Sequence, residues 1–198
     1  MSEISRRDAV RRLALVLAGT GAIDGAGARM VHAMTAEAQA AAGGAYVPKT
    51  FTESEFRLLE RLTDLIVPVE NGKPGALAAG AAAWIDMISS ENAQLKATYT
   101  KGLAWMDQAA KERGAADFVS ATQAQQFALL DQIAYRRNKS EQLAAGIEFF
   151  GWVRRMTVDA FYTSEIGFRD IDYRGNAPMG SYPSPVESID YAVKKAGL

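Results

Sequence analysis

The sequence predicts an all-α fold: a helical bundle of about five helices, followed by an extended C-terminal arm that carries aromatic residues. Three observations lead to this prediction. Apolar residues recur at helical spacing from about residue 51 to residue 162, without the alternation typical of a β-strand. Capping patterns and Gly or Pro stops divide this range into separate helices. Beyond residue 162 the helical period ends, although aromatic and aliphatic residues continue.

The composition of the 198-residue chain is globular, and it excludes several kinds of chemistry. The 22 basic and 23 acidic residues give a net charge of −1, so charge offers no reason to expect nucleic-acid binding. The sequence has no Cys, and its only His, His32, lies in the segment that is predicted below to be a leader, so the mature domain is expected to have neither a thiol nor an imidazole. Structural zinc, iron–sulfur clusters, c-type haem attachment and His-activated nucleophiles are therefore excluded, which leaves carboxylates, Lys or Tyr. We predict no catalytic residue and no metal site.

Residues 1–42 are predicted to be a twin-arginine-type export signal and a linker. Arg6 and Arg7 precede an apolar stretch at 13–19, which is shorter than the about 20 residues that span a bilayer. The Ala-x-Ala sequences at 36–38 and 38–40 are typical of a signal-peptidase site. We therefore expect a periplasmic protein; an amphipathic N-terminal helix with scattered arginines is the alternative.

The helical bundle is predicted over residues 50–162, and its first helix begins with a clear capping pattern. Thr52 and Glu55 have the spacing of a capping box, and Phe51 and Phe56 have that of a hydrophobic staple. Pro68 ends this helix.

Four more helices follow in the predicted bundle. The second comes after a Gly/Pro turn at 70–75, and the third, near 91–113, ends at Gly114, which suits a left-handed cap. Ser120 and Gln123 have capping-box spacing before the fourth helix, and Ser140 can cap the fifth. The residues expected to face the core on these four helices are Leu77, Ala81, Trp84, Ile85, Ile88, Leu95, Tyr99, Leu103, Met106, Phe127, Leu130, Ile133, Leu143, Ile147, Phe150, Val153 and Thr157.

Charged residues in the bundle show no pattern of an active site. The arginine pairs at 136–137 and 154–155 are expected on exposed faces, where solvated or carboxylate-paired arginines are common. Asp64, Glu70 and Asp86 are separated along the chain, and their spacing does not single out a general acid and a general base.

The predicted arm, residues 163–198, is rich in Gly and Pro but also holds large apolar residues. A disordered tail is normally poor in such residues. We expect the arm to be ordered by packing on a partner subunit, and packing on its own bundle is the competing arrangement. Its anchors are Ile166, Phe168, Ile171, Tyr173, Met179 and Tyr182.

Several segments resemble the gluconate 2-dehydrogenase subunit 3 family. The C-terminal signature of that family is similar to FFGWVRRMT at 149–157, FYTSEIG at 161–167 and YRGN at 173–176. An earlier landmark of the family, a Leu-Ile-Pro stretch before Pro-Gly-Ala, resembles LIVP at 65–68 and PGA at 74–76. The resemblance extends over roughly residues 50–185.

This resemblance implies a small subunit without its own cofactor, in a membrane-associated, FAD-dependent sugar or polyol dehydrogenase. Such complexes include gluconate 2-dehydrogenase, glucose dehydrogenase and glycoside 3-dehydrogenase. In them a large subunit of the glucose-methanol-choline (GMC) type holds FAD and the substrate, and often a multihaem cytochrome c subunit accepts the electrons through its haem c. The small subunit commonly bears the twin-arginine signal, and the large subunit is exported with it. The implied role is export, maturation and stability of the catalytic subunit.

The partner interface is accordingly expected in the arm and at its start. The residues assigned to it are Phe161, Tyr162, Thr163, Ser164, Glu165, Ile166, Gly167, Phe168, Tyr173, Gly175, Asn176, Tyr182 and Pro183. Two other functions remain open: an autonomous periplasmic enzyme that uses carboxylates or Lys, and a free-standing helical binding module.

Overall fold

A computed structural model describes residues 25–173, 175 and 185–197, and these residues confirm the all-α prediction. They contain eight α-helices and no β-strand. The helices are α1 (Gly25–Ala41), α2 (Glu53–Ile66), α3 (Ala81–Ser89), α4 (Ala93–Lys111), α5 (Gln123–Ile133), α6 (Ala144–Tyr162), α7 (Glu165–Asp170) and α8 (Val186–Ala196), with a 3₁₀ turn at Arg136–Asn138. None of the described helices is long and apolar enough to cross a membrane.

Helix α3 is the centre of the bundle. All nine of its residues are buried, among them Trp84, Ile85 and Ile88 with no exposed surface. Helices α1, α2, α4 and α6 all pack against it. A helix that is apolar on every side must be covered on every side, so α3 determines where its neighbours lie.

One carboxylate, Asp86, is buried in this apolar helix and is fully hydrogen-bonded. Its Oδ2 accepts from the Tyr46 hydroxyl at 2.8 Å and from the Lys49 backbone N–H at 2.8 Å. Its Oδ1 accepts from the backbone N–H groups of Thr50 and Phe51, both at 3.0 Å. Burial, followed by the charge of Asp86, raises the pKa of Tyr46, so Tyr46 remains a hydrogen-bond donor. Asp86 therefore ties the loop before α2 to the middle of the bundle.

The capping predictions are confirmed at one helix and wrong at two. Helix α6 begins after Leu143 without a side-chain cap, and the Ser140 hydroxyl instead accepts from the Leu143 N–H in the preceding turn at 3.3 Å. Thr52 and Glu55 form the predicted capping box at α2. At α5 the box is formed by Thr122 and Gln125, two residues later than expected. Ser120 instead exchanges hydrogen bonds with Asp117 in the preceding turn. Both pairs have the correct spacing, and the helix that begins after Thr122 buries Gln126, Leu129, Leu130 and Ile133.

Two residues predicted to face the core are exposed. Leu77 is 50% exposed because it lies in a turn before α3, which begins only after Gly80 in a left-handed conformation with φ of 68°. Phe127 is 44% exposed because α5 is oriented around Leu130 and Ile133. The predicted left-handed Gly114, with φ of 83°, is confirmed.

The two ends of the chain differ from their expected description. Residues 25–41, expected in the signal and linker, form α1, which packs on α3 and buries Ala28 and Val31. The arm expected to be extended contains α7, which packs on α6, and α8, whose residues are all exposed. The Gly and Pro residues around α7 and α8 interrupt the helical spacing of apolar residues, so the sequence does not predict these two helices.

We expect Asp86→Asn to lower the free energy of unfolding by on the order of 3 kcal/mol. The amide has one acceptor oxygen for four donors, and its NH₂ group would face the N–H groups that now bind the second carboxylate oxygen. The measurement is urea unfolding followed by circular dichroism. Asp131→Asn, on the exposed side of α5, is the control and is expected to stay within about 0.5 kcal/mol. Equal effects of the two substitutions would contradict the role assigned to Asp86.

Candidate partner interface

A sharp corner joins α6 to α7, and Ser164 forms it. The Ser164 hydroxyl accepts from the Gly167 backbone N–H at 3.0 Å and donates to the Phe161 carbonyl at 2.6 Å. It therefore caps α7 and binds the last turn of α6 at the same time. The Thr163 hydroxyl donates to the Asp159 carbonyl at 2.6 Å, which gives the end of α6 a second side-chain hydrogen bond.

Gly167 is required at this corner because α7 lies directly on the backbone of α6. A Cβ atom at position 167 would lie 2.1 Å from the Phe161 carbonyl oxygen and 2.8 Å from the Cα of Tyr162. No side chain fits at that separation, and the neighbouring atoms are backbone and cannot rotate away. The FYTSEIG sequence thus contains the end of α6, the cap of α7 at Ser164 and the close backbone approach at Gly167.

A second segment, the loop between α2 and α3, has an equally close approach at Gly75. A Cβ atom there would lie 2.3 Å from the Val67 carbonyl oxygen. The Ala76 backbone N–H donates to that same oxygen at 2.8 Å, and Glu70 pairs with Lys73 across the tip of the loop. The LIVP and PGA sequences are therefore the two sides of one closed loop.

Lys73 joins this loop to α7, although the two segments are far apart in the sequence. Its Nζ lies 3.0 Å from the Asp170 Oδ1 atom and donates to the Asp170 carbonyl oxygen at 3.0 Å. The ammonium group also compensates the carbonyl end of α7, where a positive charge is favourable. Two of the segments that carry the family resemblance, the closed loop and the corner, thus meet at one end of the bundle.

Exposed apolar side chains belong to these joined segments. Val69 is 66% exposed on the loop, and Ile171 and Tyr173, directly after α7, are each 54% exposed. Phe168 packs against the Tyr173 ring with 5.5 Å between the ring centroids, which holds that ring in place. We call Val69, Tyr162, Ile171 and Tyr173 the corner patch.

The residues predicted for the interface divide by burial. Phe161, Ser164 and Gly167 are buried within the subunit and build the corner, and Thr163, Ile166 and Phe168 are partly buried. The exposed ones are Tyr162, Glu165, Tyr173 and Gly175. Asn176, Tyr182 and Pro183, together with the signal residues Arg6 and Arg7, lie outside the described residues.

Sequence reasoning missed three residues at this end of the bundle. Val69, Lys73 and Asp170 were not assigned a role, since only the fold brings the loop to α7. Lys73 and Asp170 lie 97 residues apart, so no local sequence pattern could have paired them.

An open groove of about 740 Å³ lies beside α6. It brings Arg136 together with Arg154 and Arg155, which belong to the two arginine pairs expected on exposed faces. Arg136, Arg154, Arg155 and Lys139 line it with a single carboxylate, Glu148. A groove with one carboxylate does not supply a general acid and base pair.

A smaller cavity of about 270 Å³ does contain two carboxylates, Asp107 and Asp117. Each carboxylate accepts a backbone hydrogen bond: Asp107 accepts from the Phe118 N–H at 3.0 Å, and Asp117 accepts from the Ser120 N–H at 2.7 Å. Hydrogen bonds from Ser120 hold the pKa of Asp117 below its ordinary value. Asp117 therefore remains ionised near neutral pH and has no proton to donate.

Comparison with known proteins gives one match. The family model described as Gluconate 2-dehydrogenase subunit 3 matches residues 53–183, which is more than half of the chain. The matched range includes α2 to α7, and therefore the closed loop, the corner and Lys73 with Asp170. No curated protein and no solved structure matches the chain.

We expect Gly167→Ala to destabilise the subunit by about 1–3 kcal/mol, because the added methyl group must push α7 away from the end of α6. Gly151→Ala is the matched control. A Cβ at position 151 meets nothing within 4 Å, so this change in mid-helix is expected to be neutral or to stabilise by up to about 1 kcal/mol. Thermal melts of both variants provide the test. A Gly167→Ala protein as stable as Gly151→Ala would contradict the close approach described here.

Proposed function

The chain belongs to the gluconate 2-dehydrogenase subunit 3 family, and on that premise we propose that it is the small, non-catalytic subunit of a periplasmic, FAD-dependent sugar or polyol dehydrogenase. Its partner is a large GMC-type subunit that holds FAD; in complexes with a third component, that component is a multihaem cytochrome c with haem c. The small subunit acts in export, maturation and stability of the catalytic subunit. Association with the membrane occurs through the complex.

The single observation that carries this proposal is the corner patch. The closed loop and the corner, two of the segments that mark the family, build one end of the bundle, and that end presents Val69, Ile171 and Tyr173 to solvent. Aromatic and branched side chains on a rigid scaffold are typical anchors of protein interfaces. A patch that is built by buried glycines and caps, but is itself exposed, fits a surface that binds a partner.

The state of the buried polar groups favours an accessory role over an autonomous enzyme. Asp86 has both oxygens occupied by donors from its own chain. Tyr99 is fully buried, and its pKa is raised by burial and by the nearby Asp159, so it stays protonated. These groups support the fold and have no access to a substrate.

Tyr173→Ala is expected to weaken binding of the large subunit by about 2 kcal/mol, or roughly 30-fold in Kd. The measurement is co-purification from cells that express both subunits, followed by titration of the purified pair. Tyr135→Ala is the matched control, because Tyr135 is also half-exposed, at 51%, but lies beside the 3₁₀ turn. Equal retention of the large subunit by both variants would remove the corner patch from the interface.

The same preparations test the enzyme alternative. The isolated small subunit is expected to show no flavin absorbance and no dye-linked oxidation of sugars. Such activity in the isolated chain would refute the accessory role.

Replacement of Arg6 and Arg7 by Lys is expected to stop export of this subunit and of its large partner together. Twin-arginine receptors recognise the guanidinium groups, and Lys does not reproduce their planar set of donors. Cell fractionation provides the measurement, with Arg11→Lys and Arg12→Lys as a control of equal charge in the same segment. A large subunit that still reaches the periplasm without its companion would contradict the escort role.

A further inference from the structure

Helix α1 is part of the core of the bundle. Its residues Ala28 and Val31 have no exposed surface, and Thr35, one turn further on, is 8% exposed. These three residues lie on one face of the helix and pack against α3. Since α3 is apolar on every side, loss of α1 would leave one side of it in water.

Polar contacts also cross from α1 to the rest of the bundle. The Trp84 indole N–H donates to the Ala28 carbonyl at 3.5 Å, and the rings of His32 and Trp84 lie 6.0 Å apart. The His32 Nε2 atom lies 3.1 Å from the Thr163 hydroxyl, at the corner between α6 and α7. Burial lowers the pKa of His32, in keeping with a neutral ring held inside the fold. The helix is therefore bonded to the centre of the bundle and to the corner.

The Ala-x-Ala sequences at 36–38 and 38–40 lie within this docked helix. Ala38 is partly buried against the core. A protease acts most readily on exposed and locally unfolded chain, so cleavage here requires the end of α1 to unwind. A twin-arginine signal carries cargo that has already folded, and α1 would be docked before the chain meets a periplasmic peptidase.

We propose that α1 remains in the mature subunit as a fixed part of its core, and that a signal peptidase does not cut at Ala38 or Ala40. Removal of an export signal then takes place before Gly25. This inference rests on the proposed export, but it concerns residues outside the range matched by the family model.

The first test is intact-mass measurement and N-terminal sequencing of the small subunit in the complex purified from the periplasmic side of the membrane. The expected N-terminus is at Gly25 or earlier. An N-terminus at Gln39 or Ala41 would overturn the inference and leave the proposed function intact.

The second test compares two substitutions in the full-length chain by thermal melting. Val31→Asp places a carboxylate against α3 and is expected to lower the Tm by about 10 °C or to prevent folding. Ala40→Asp adds the same group on the exposed side of the same helix and is expected to shift the Tm by no more than about 2 °C. Equal melting of the two variants would overturn the inference. This comparison needs no export, so it still tests the position of α1 if the subunit stays in the cytoplasm, a result that would refute only the proposed function.

Discussion

A buried apolar helix with one carboxylate is the constraint on which the rest of the structure depends. Helix α3 has no polar face, so four other helices must cover it. Asp86 is the exception within it, and a buried carboxylate is tolerated only when donors surround it. The chain supplies these donors from Tyr46 and from three consecutive backbone N–H groups at 49–51. The start of α2 is thereby fixed relative to the core.

The proposed interface follows from that arrangement. Helices α2 and α6 both pack on α3, and the contact of Lys73 with Asp170 shows that the loop after α2 and the end of α6 lie at the same end of the bundle. Gly75 and Gly167 allow close backbone contact within each segment, and Lys73 joins the two through Asp170. Buried residues of these two segments thus support exposed neighbours such as Val69 and Tyr173. His32 of α1 contacts the Thr163 hydroxyl at the corner, so α1 is joined to this end of the bundle as well.

The difference between buried and exposed family residues separates two roles that a sequence pattern combines. Ser164 and Gly167 shape the corner, and a change in either acts first on the stability of the subunit. Tyr173 is exposed and contributes little to the core. Under the proposed function, its removal therefore acts first on binding of the large subunit. The stretch from 161 to 173 therefore contains both the support of the proposed interface and its contact surface.

The sequence by itself determined the all-α class, the start of α2 at Thr52 and the left-handed stop at Gly114, because caps and glycine stops act within one turn of the chain. It also led to the family, through short segments whose spacing is local. It did not determine which of two overlapping capping boxes begins α5, or that Leu77 and Phe127 are exposed, since these depend on which face meets a neighbour. Only the tertiary structure placed α1 in the core, surrounded Asp86 with donors and joined Lys73 to Asp170. Such contacts bridge tens of residues, and no local pattern encodes the partner at the other end.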